Sequence, residues 1–536
     1  MIKYTDENTI NNQLFETPFQ SKLDMKNRWA RLSKLLPWDK MAVIYMKDMS
    51  ETMGRTTVDL RIVMGAMFIQ HSLNLTDRDT IEMISENIYM QYFVGLSSFQ
   101  STLIFDHSLL SIFRQRLGEK GGHQLNEILI KYSFENGHLK HRKSRSSSSD
   151  KEEQSDNSEQ STLTNNESNA FKKQEDNPSQ QGIPNQEDKE PSPVNKGTVK
   201  VDATVVPQNI TYPTDTKLLN HCREISEAII DELYDQSRDL WASKPRTYRR
   251  EARKKWLKFS KSRKPNKKTI RKQLRAQLGY IKRNLKHIDK MLSLILQSGE
   301  QIKLSEKLRK KMYVISEIYR QQQEMFDDKR KKIADRIVNI AQPWVRPIVR
   351  GKAGSPVEFG AKINLSLTEK MAIVEQSSFD AFNEGSGLME VLNSYKERFG
   401  YYPEYALVDK IYLTRVNRKF MKQNGIKHTG SPLGRPKPID KGMRAKMKKK
   451  NNERNHIEGK IGQGKQRFGM DNLRTKTVQS SLCAINLIAL AMNMLTLLNK
   501  SFLLFLTLLK ATIVNTEKQF VKYLMPIKRN LLNQYS

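Results

Sequence analysis

From residue 198 the stretch TVKVDATVVP alternates. Val199, Val201, Ala203 and Val205 point one way, and Lys200, Asp202 and Thr204 the other. A period of two predicts a strand with a carboxylate at mid-length on its polar face. The alternation returns in PVEFGAKINLSL, where Val357, Phe359, Ile363 and Leu365 alternate with polar residues. MAIVEQ and EYALVDK read as further strands, the second with Asp409 at its C-terminal end. Between them Leu388, Val391, Leu392, Tyr395 and Phe399 share a helix face, which Gly400 and Pro403 end. Helical patterns also run over 415–424 and 478–498. The sum is an α/β unit over 197–498.

A second pattern interrupts that unit between its first and second strands. Residues 216–341 are helical and very basic. Leu274, Leu278, Ile281, Leu285, Ile288, Leu292 and Ile295 step by four and three, a heptad seam. After Gly299 a second seam follows through Leu308, Met312, Ile315, Tyr319, Gln322 and Phe326. Two seams around a turn predict an antiparallel helical hairpin, either packed on itself or serving as an arm for DNA or a second protomer. Ahead of it, KPRTYRREARKKWLKFSKSRKPNKKTIRKQ mixes Lys and Arg with Tyr248, Trp256 and Phe259, which favours phosphate contact over a merely solvated face.

The N-terminal pattern is helical throughout, over 17–135. Ile81, Ile84, Ile88 and Tyr92 fall on one face, and Thr76 with Asp79 has the spacing of a capping box ahead of them. This predicts an all-α domain; DNA binding is one role for it. Residues 142–196 hold Ser, Asn, Gln, Glu and Lys with almost nothing apolar, so too little surface can be buried to offset ordering entropy. That predicts a disordered linker. A tail runs over 499–536.

Charge narrows the function. The chain has 536 residues, a formal charge of +34 and a pI near 9.8. Such an excess repels itself in a compact protein and fits a polyanionic partner, most simply nucleic acid, with an acidic membrane as the other option. Two cysteines, Cys222 and Cys483, exclude a disulfide framework and a CxxC zinc site, and fit a reducing cytoplasm. The N-terminus shows no apolar signal region. LCAINLIALAMNMLTLL is shorter than a bilayer span requires and contains Asn486 and Asn493, so a buried helix is expected rather than a membrane span.

Against this basic background, one acid stands out in RNHIEGKIGQGKQRFG. On a helix Glu458 lies about 40° from Arg454 and about 20° from Lys465, so the three share a face. Flanking cations keep a carboxylate ionised, as a hard divalent cation requires. Gly459, Gly462 and Gly464 weaken that helix and offer close backbone approach. Asp202, Asp409 and Glu458 brought together would repel unless a cation neutralised them, and a pair of Mg²⁺ or Mn²⁺ ions would both resolve the repulsion and act on a phosphodiester.

Four segments resemble bacterial insertion-sequence DDE transposases of the group with a Tyr-x2-Arg-x3-Glu-x6-Lys signature. VDATVVPQNITYPTDTKLLNHCRE resembles that family's first-aspartate strand, and VDKIYLTRVNRKFMKQNGI its second-aspartate region. RNHIEGKIGQGKQRFG matches the signature at Arg454, Glu458 and Lys465, with Asn451 at the Tyr position. An Asn keeps a hydrogen-bonding group there but loses a stacking face. Residues 17–118, with YMQYFVGL, resemble the helical domain that often precedes the catalytic one.

The resemblance implies an α/β RNase H-like catalytic core with a helical insertion, preceded by an all-α N-terminal domain. It implies Asp202, Asp409 and Glu458 around two Mg²⁺ (or Mn²⁺) ions, cleavage at the element's ends, and strand transfer to target DNA. Arg454, Lys465, Lys410 and Arg435 are the expected DNA contacts. The partners implied are double-stranded DNA, as terminal inverted repeats and target, and a second copy of the chain. A bacterial cytoplasmic, nucleoid-associated protein without stable membrane association follows from the same resemblance.

Some assignments stay open in the sequence. Asp215 is either an accessory acid or the cap of a helix beginning near Thr216. Lys410, Tyr412, Arg415 and Asn417 are either DNA contacts or packing and surface. The lysine run at 444–450 is either a phosphate contact or a disordered loop. A transposase-derived DNA-binding protein without catalysis, and a membrane-associated basic protein, are the competing classes.

Overall fold

The computed structural model describes residues 2–12, 15–17, 22–47, 49, 56–141, 194–241, 243–350, 356–431, 433–434 and 441–501. The linker expected at 142–196 lies almost wholly outside the described residues, as does the tail beyond Ser501.

The N-terminal part is helical: α1 (Glu7–Asn12), α2 (Arg28–Leu35), α3 (Trp38–Met46), α4 (Leu60–Leu73), α5 (Asp77–Glu86), α6 (Ile88–Val94) and α7 (Leu109–Glu135). The single face expected through Ile81, Ile84, Ile88 and Tyr92 is broken. Asn87 leaves helical geometry, and its side chain accepts from the backbone N–H groups of Tyr89 and Met90, starting a new helix. Thr76 caps α5 through the Asp79 N–H at 3.1 Å, as its spacing predicted.

The α/β part follows. β1 (Thr198–Pro207) leads into α8 (Asp215–Gln236), α9 (Arg249–Ser260), α10 (Lys267–Gln297) and α11 (Glu306–Asp327). The chain returns through β2 (Arg346–Val349), β3 (Val357–Thr368), β4 (Met371–Ser378), α12 (Leu388–Phe399), β5 (Tyr405–Val408), α13 (Arg415–Gln423), β6 (Lys427–His428) and α14 (Lys441–Arg467). A last helix, α15 (Val478–Ser501), closes it.

The sheet is mixed. β1 lies at its centre, antiparallel to β3 and parallel to β5, with β6 beyond β5 and both β2 and β4 on the far edge of β3. β1 is covered on both faces, which corrects the half-polar reading: Lys200 and Thr204 are buried alongside Val199 and Val201. Short β2 and β6 carry no periodic signal long enough to read.

The insertion packs as a bundle of three helices rather than a lone hairpin. Leu219, Cys222, Ile229 and Leu233 of α8 meet Ile281, Ile288 and Ile295 of α10 and Ile315 and Ile318 of α11. Gly299 turns between α10 and α11 at φ +76°, a conformation that suits glycine. Asp215 does not cap α8. Thr214 does, and Asp215 in the first turn binds Arg336 and Gln322, tying α8 to the segment that returns to the sheet.

α15 is long and apolar enough to cross a membrane, yet most of it is buried inside the fold. Its asparagines explain why. Asn493 accepts from the Ala372 N–H at 2.7 Å and donates to the Ala372 carbonyl at 2.7 Å. Asn126 of α7 donates to the same carbonyl at 2.9 Å and accepts from Asn493 at 2.8 Å. These side chains complete the outer edge of β4, whose backbone groups would otherwise be buried without partners. One apolar core runs from Trp38, Met64 and Phe93 through Leu129 to Met371, Ile373, Leu487 and Met494, so the N-terminal helices and the sheet share it. Arg398 of α12 reinforces the joint through Glu127 of α7 at 3.1 Å and Glu375 of β4 at 3.4 Å.

Candidate functional site

The site forms where β5 ends beside the middle of β1. Their parallel pairing runs from Thr198↔Tyr405 to Val201↔Val408. Asp202 and Asp409 are the next residues on each strand, so the sheet sets them at neighbouring positions. The Asp202 carboxylate accepts from the Ala203 N–H at 2.9 Å, and the Asp409 carboxylate from the Lys410 N–H at 2.9 Å. Asp202 is partly buried and Asp409 exposed.

Glu458 reaches this edge from α14, which packs against both β1 and β5. Ile457 and Ile461 bury the inner side of α14 in the core beneath the sheet, leaving Glu458 exposed. Helix forms through all three glycines. Gly464 abuts Met470 and Met492, while Gly459 and Gly462 face open space, so close backbone approach is not their common purpose.

Electrostatics tie the acids together. Burial raises the Asp202 pKa above the ordinary carboxylate value; the Ala203 N–H and Arg454 oppose that rise, and Glu384 and Glu458 add to it. Arg454 binds Glu458 at 3.1 Å, one turn apart on α14. Among the described residues no group of three or more His, Cys, Asp or Glu side chains stands close enough to hold a metal ion. Arg454 supplies positive charge to Glu458 and to Asp202. The donor set nonetheless suits a hard divalent ion: oxygen ligands only, with mutual repulsion that such an ion would relieve.

Glu384 escaped the sequence reading. It opens a short 3₁₀ turn, Glu384–Gly387, and pairs with Lys362 of β3 at 2.9 Å. The next residue, Gly385, lies so close to the turn after Asp409 that an added Cβ would sit 2.5 Å from the Ile411 carbonyl oxygen. Asn417 locks the two turns, donating to the carbonyls of Gly385 at 2.6 Å and Tyr412 at 2.7 Å. Tyr412 is buried beneath the acids and donates to Asn364 at 2.9 Å. Burial first, then the negative charges of Glu384, Asp202 and Asp409, push its pKa up. Arg350 donates to the Ala203 carbonyl at 3.3 Å, a second cation at this edge that no spacing announced.

The remaining expected contacts divide. Lys410 and Arg415 are exposed beside Asp409, whereas Tyr412 and Asn417 are packing residues. Lys465 lies partly buried on α14, two turns beyond Glu458. Residues 441–450, with their lysine run, are helical, the first turns of α14, and Asn451 is exposed there. Arg435 lies outside the described residues.

Comparison with known proteins gives two family matches. Residues 17–116 match a family model described as "Transposase domain (DUF772)", and residues 406–495 match one described as "Transposase DDE domain". The second contains Asp409 and Glu458; Asp202 lies ahead of it. Together the two matches support an insertion-sequence DDE transposase. The chain is also similar to a Rhizobium meliloti protein named "Uncharacterized protein ORF8 in nfe locus", 25% identical over 126 residues, 24% of this chain and 60% of that relative. The chain thus spans less than two thirds of that relative's length. No solved structure matches.

Proposed function

We propose that this chain is the transposase of an insertion sequence, cutting DNA at the element's ends and joining the freed ends to target DNA. The observation that carries this reading is the neighbouring placement of Asp202, in the middle of β1, and Asp409, just past the end of parallel β5, with Glu458 of α14 bearing on Asp202. The strand order, with β1 antiparallel to β3 and parallel to β5, supports an RNase H-like core.

Asp202, Asp409 and Glu458 are the residues that would hold two Mg²⁺ or Mn²⁺ ions. Bound ions of this kind activate an attacking oxygen and neutralise charge on the leaving oxygen of a phosphodiester. The chain's own part is positioning. Strands β1 and β5 fix two carboxylates, the Asn417 clasp and Tyr412 hold the turn behind Asp409, and Arg454, Lys465 and Lys410 offer cations to phosphates beside them. The N-terminal helices at 17–135 are read as a DNA-binding domain, and a homodimer as the working form.

The test is cleavage of duplex DNA carrying the native element's ends with Mg²⁺, comparing the wild type with Glu458→Gln. Loss of cleavage in the variant with DNA binding retained upholds the reading. Binding by both proteins with cleavage by neither would leave a transposase-derived DNA-binding protein, the second reading, which exposed Asn451 at the signature's Tyr position favours.

A further inference from the structure

The inserted bundle carries a charged face that the acid centre does not use. Residues 249–272 contain 13 Lys and Arg against a single acid, Glu251. Helix α9 sorts them. Ala252 is buried, Trp256 and Phe259 are half-buried, and Lys255 reaches the Tyr280 hydroxyl of α10 at 3.3 Å. These fall at i, i+3, i+4 and i+7 and form the inner side. Arg250, Arg253, Lys254 and Lys258 are exposed on the outer side, around Leu257 at 46% exposure. Among the described residues none of these four takes part in an ion pair, whereas Arg249 at the helix start binds Asp231 at 2.7 Å.

The stripe continues beyond the helix. Lys261 and Lys264 are exposed in the connection, and Lys267 and Lys268 open α10. Two lysines at a helix N-terminus oppose its dipole, and like charges one turn apart along α9 repel. Folding of the bundle therefore gains nothing from this arrangement; its apolar seam lies on the other side. A polyanion laid along the face would relieve both repulsions. Over the twelve residues from Arg250 to Lys261 the stripe is about 16 Å long, enough to follow several phosphates of a duplex. A lipid surface fits less well, because the aromatic rings of α9 turn inward to the bundle and leave one leucine outside.

We propose that the outer face of α9, with the first turn of α10, is a second DNA contact surface that holds the duplex backbone without reading its sequence. The proposal rests on the DNA-acting reading of the chain and adds a surface outside the acid centre.

The experiment is equilibrium binding of the full-length wild type and of R250Q/R253Q/K254Q/K258Q to two duplexes, one with the element's ends and one unrelated, between about 50 and 200 mM salt. The charge-preserving R250K/R253K and thermal melts control for folding. Losing up to four phosphate contacts should flatten the log K against log salt slope by as much as about 3.6, weaken both duplexes alike, and leave the charge-preserving variant unchanged. An unchanged slope, or a loss confined to the element's ends, overturns the proposal. So does loss of binding to anionic phosphatidylserine vesicles with DNA binding intact. A wild type that binds neither duplex at any salt would instead overturn the DNA-acting reading itself.

Discussion

Arg454 holds Glu458 in an ion pair of 3.1 Å, one turn apart on α14, while its charge also bears on Asp202. One guanidinium therefore bears on two of the three acids. On the proposed two-ion reading it must yield when a cation binds, because Glu458 cannot serve both fully.

Arg454→Gln separates these two roles. Without the competing guanidinium, Mn²⁺ should bind the DNA-free protein several-fold more tightly by calorimetry. Cleavage of element ends should fall by about 10²-fold, the order of loss that follows removal of one preorganised transition-state donor. Equal Mn²⁺ affinity in both proteins would show that the ion pair does not guard the site.

Gly385 tests whether the turn bearing Glu384 must meet the turn after Asp409. Gly385→Ala brings a methyl group to 2.5 Å from the Ile411 carbonyl oxygen. Overpacking of this kind costs about 1–3 kcal/mol. The expected outcome is a folded protein with a lower melting temperature and end cleavage reduced by at least tenfold. Full cleavage with a lowered melting temperature would make the contact structural only.

Much of this site was legible along the chain, and the reasons differ by residue. Apolar runs marked the strands that carry Asp202 and Asp409, and helical spacing set Glu458 beside Arg454 and Lys465, but only the family resemblance chose these three among 58 acids. Glu384 was not legible. It sits on a four-residue turn with no period, and only the packing of Gly385 on Ile411 brings it to the acids. Arg350 was hidden likewise, just past a short edge strand. The three-helix bundle was half-read: the seams of α10 and α11 were plain, but α8, which they cover, is separated from them by α9. In α15 the asparagines spoke against a membrane span, yet their partner was invisible, since Ala372 is 121 residues away from Asn493 in sequence.

That partnership predicts the effect of Asn493→Leu. The substitution makes α15 more apolar but leaves both backbone groups of Ala372 short of partners at a buried strand edge. Asn126 retains one bond to the carbonyl, and the N–H is orphaned. Stability in urea should fall by about 2–4 kcal/mol, from the lost hydrogen bonds and the unsatisfied donor. A more hydrophobic helix that stabilised the protein would refute this account of the β4 edge.

Lys460 gives a pH test of the core beneath α14. Its Nζ lies 2.9 Å from the Thr496 hydroxyl and 3.2 Å from the Met492 carbonyl, and burial, aided by the charge of Lys370, lowers its pKa to about 8. An unfolded lysine titrates near 10.5. Below pH 8 both states are protonated and the folded state bears the whole cost of a buried ammonium. From pH 8 to 10.5 the folded chain releases its proton first, so stability rises with pH across that window. Thr496 already donates to the Met492 carbonyl at 2.9 Å, so Lys460→Met leaves that oxygen satisfied. The variant should therefore be more stable than the wild type at pH 7, by up to about 3 kcal/mol, with the gap narrowing towards pH 10.5. Urea midpoints of both proteins at pH 7 and pH 10 measure it. Parallel pH profiles would mean that the ammonium is better solvated than its burial beneath α15 implies.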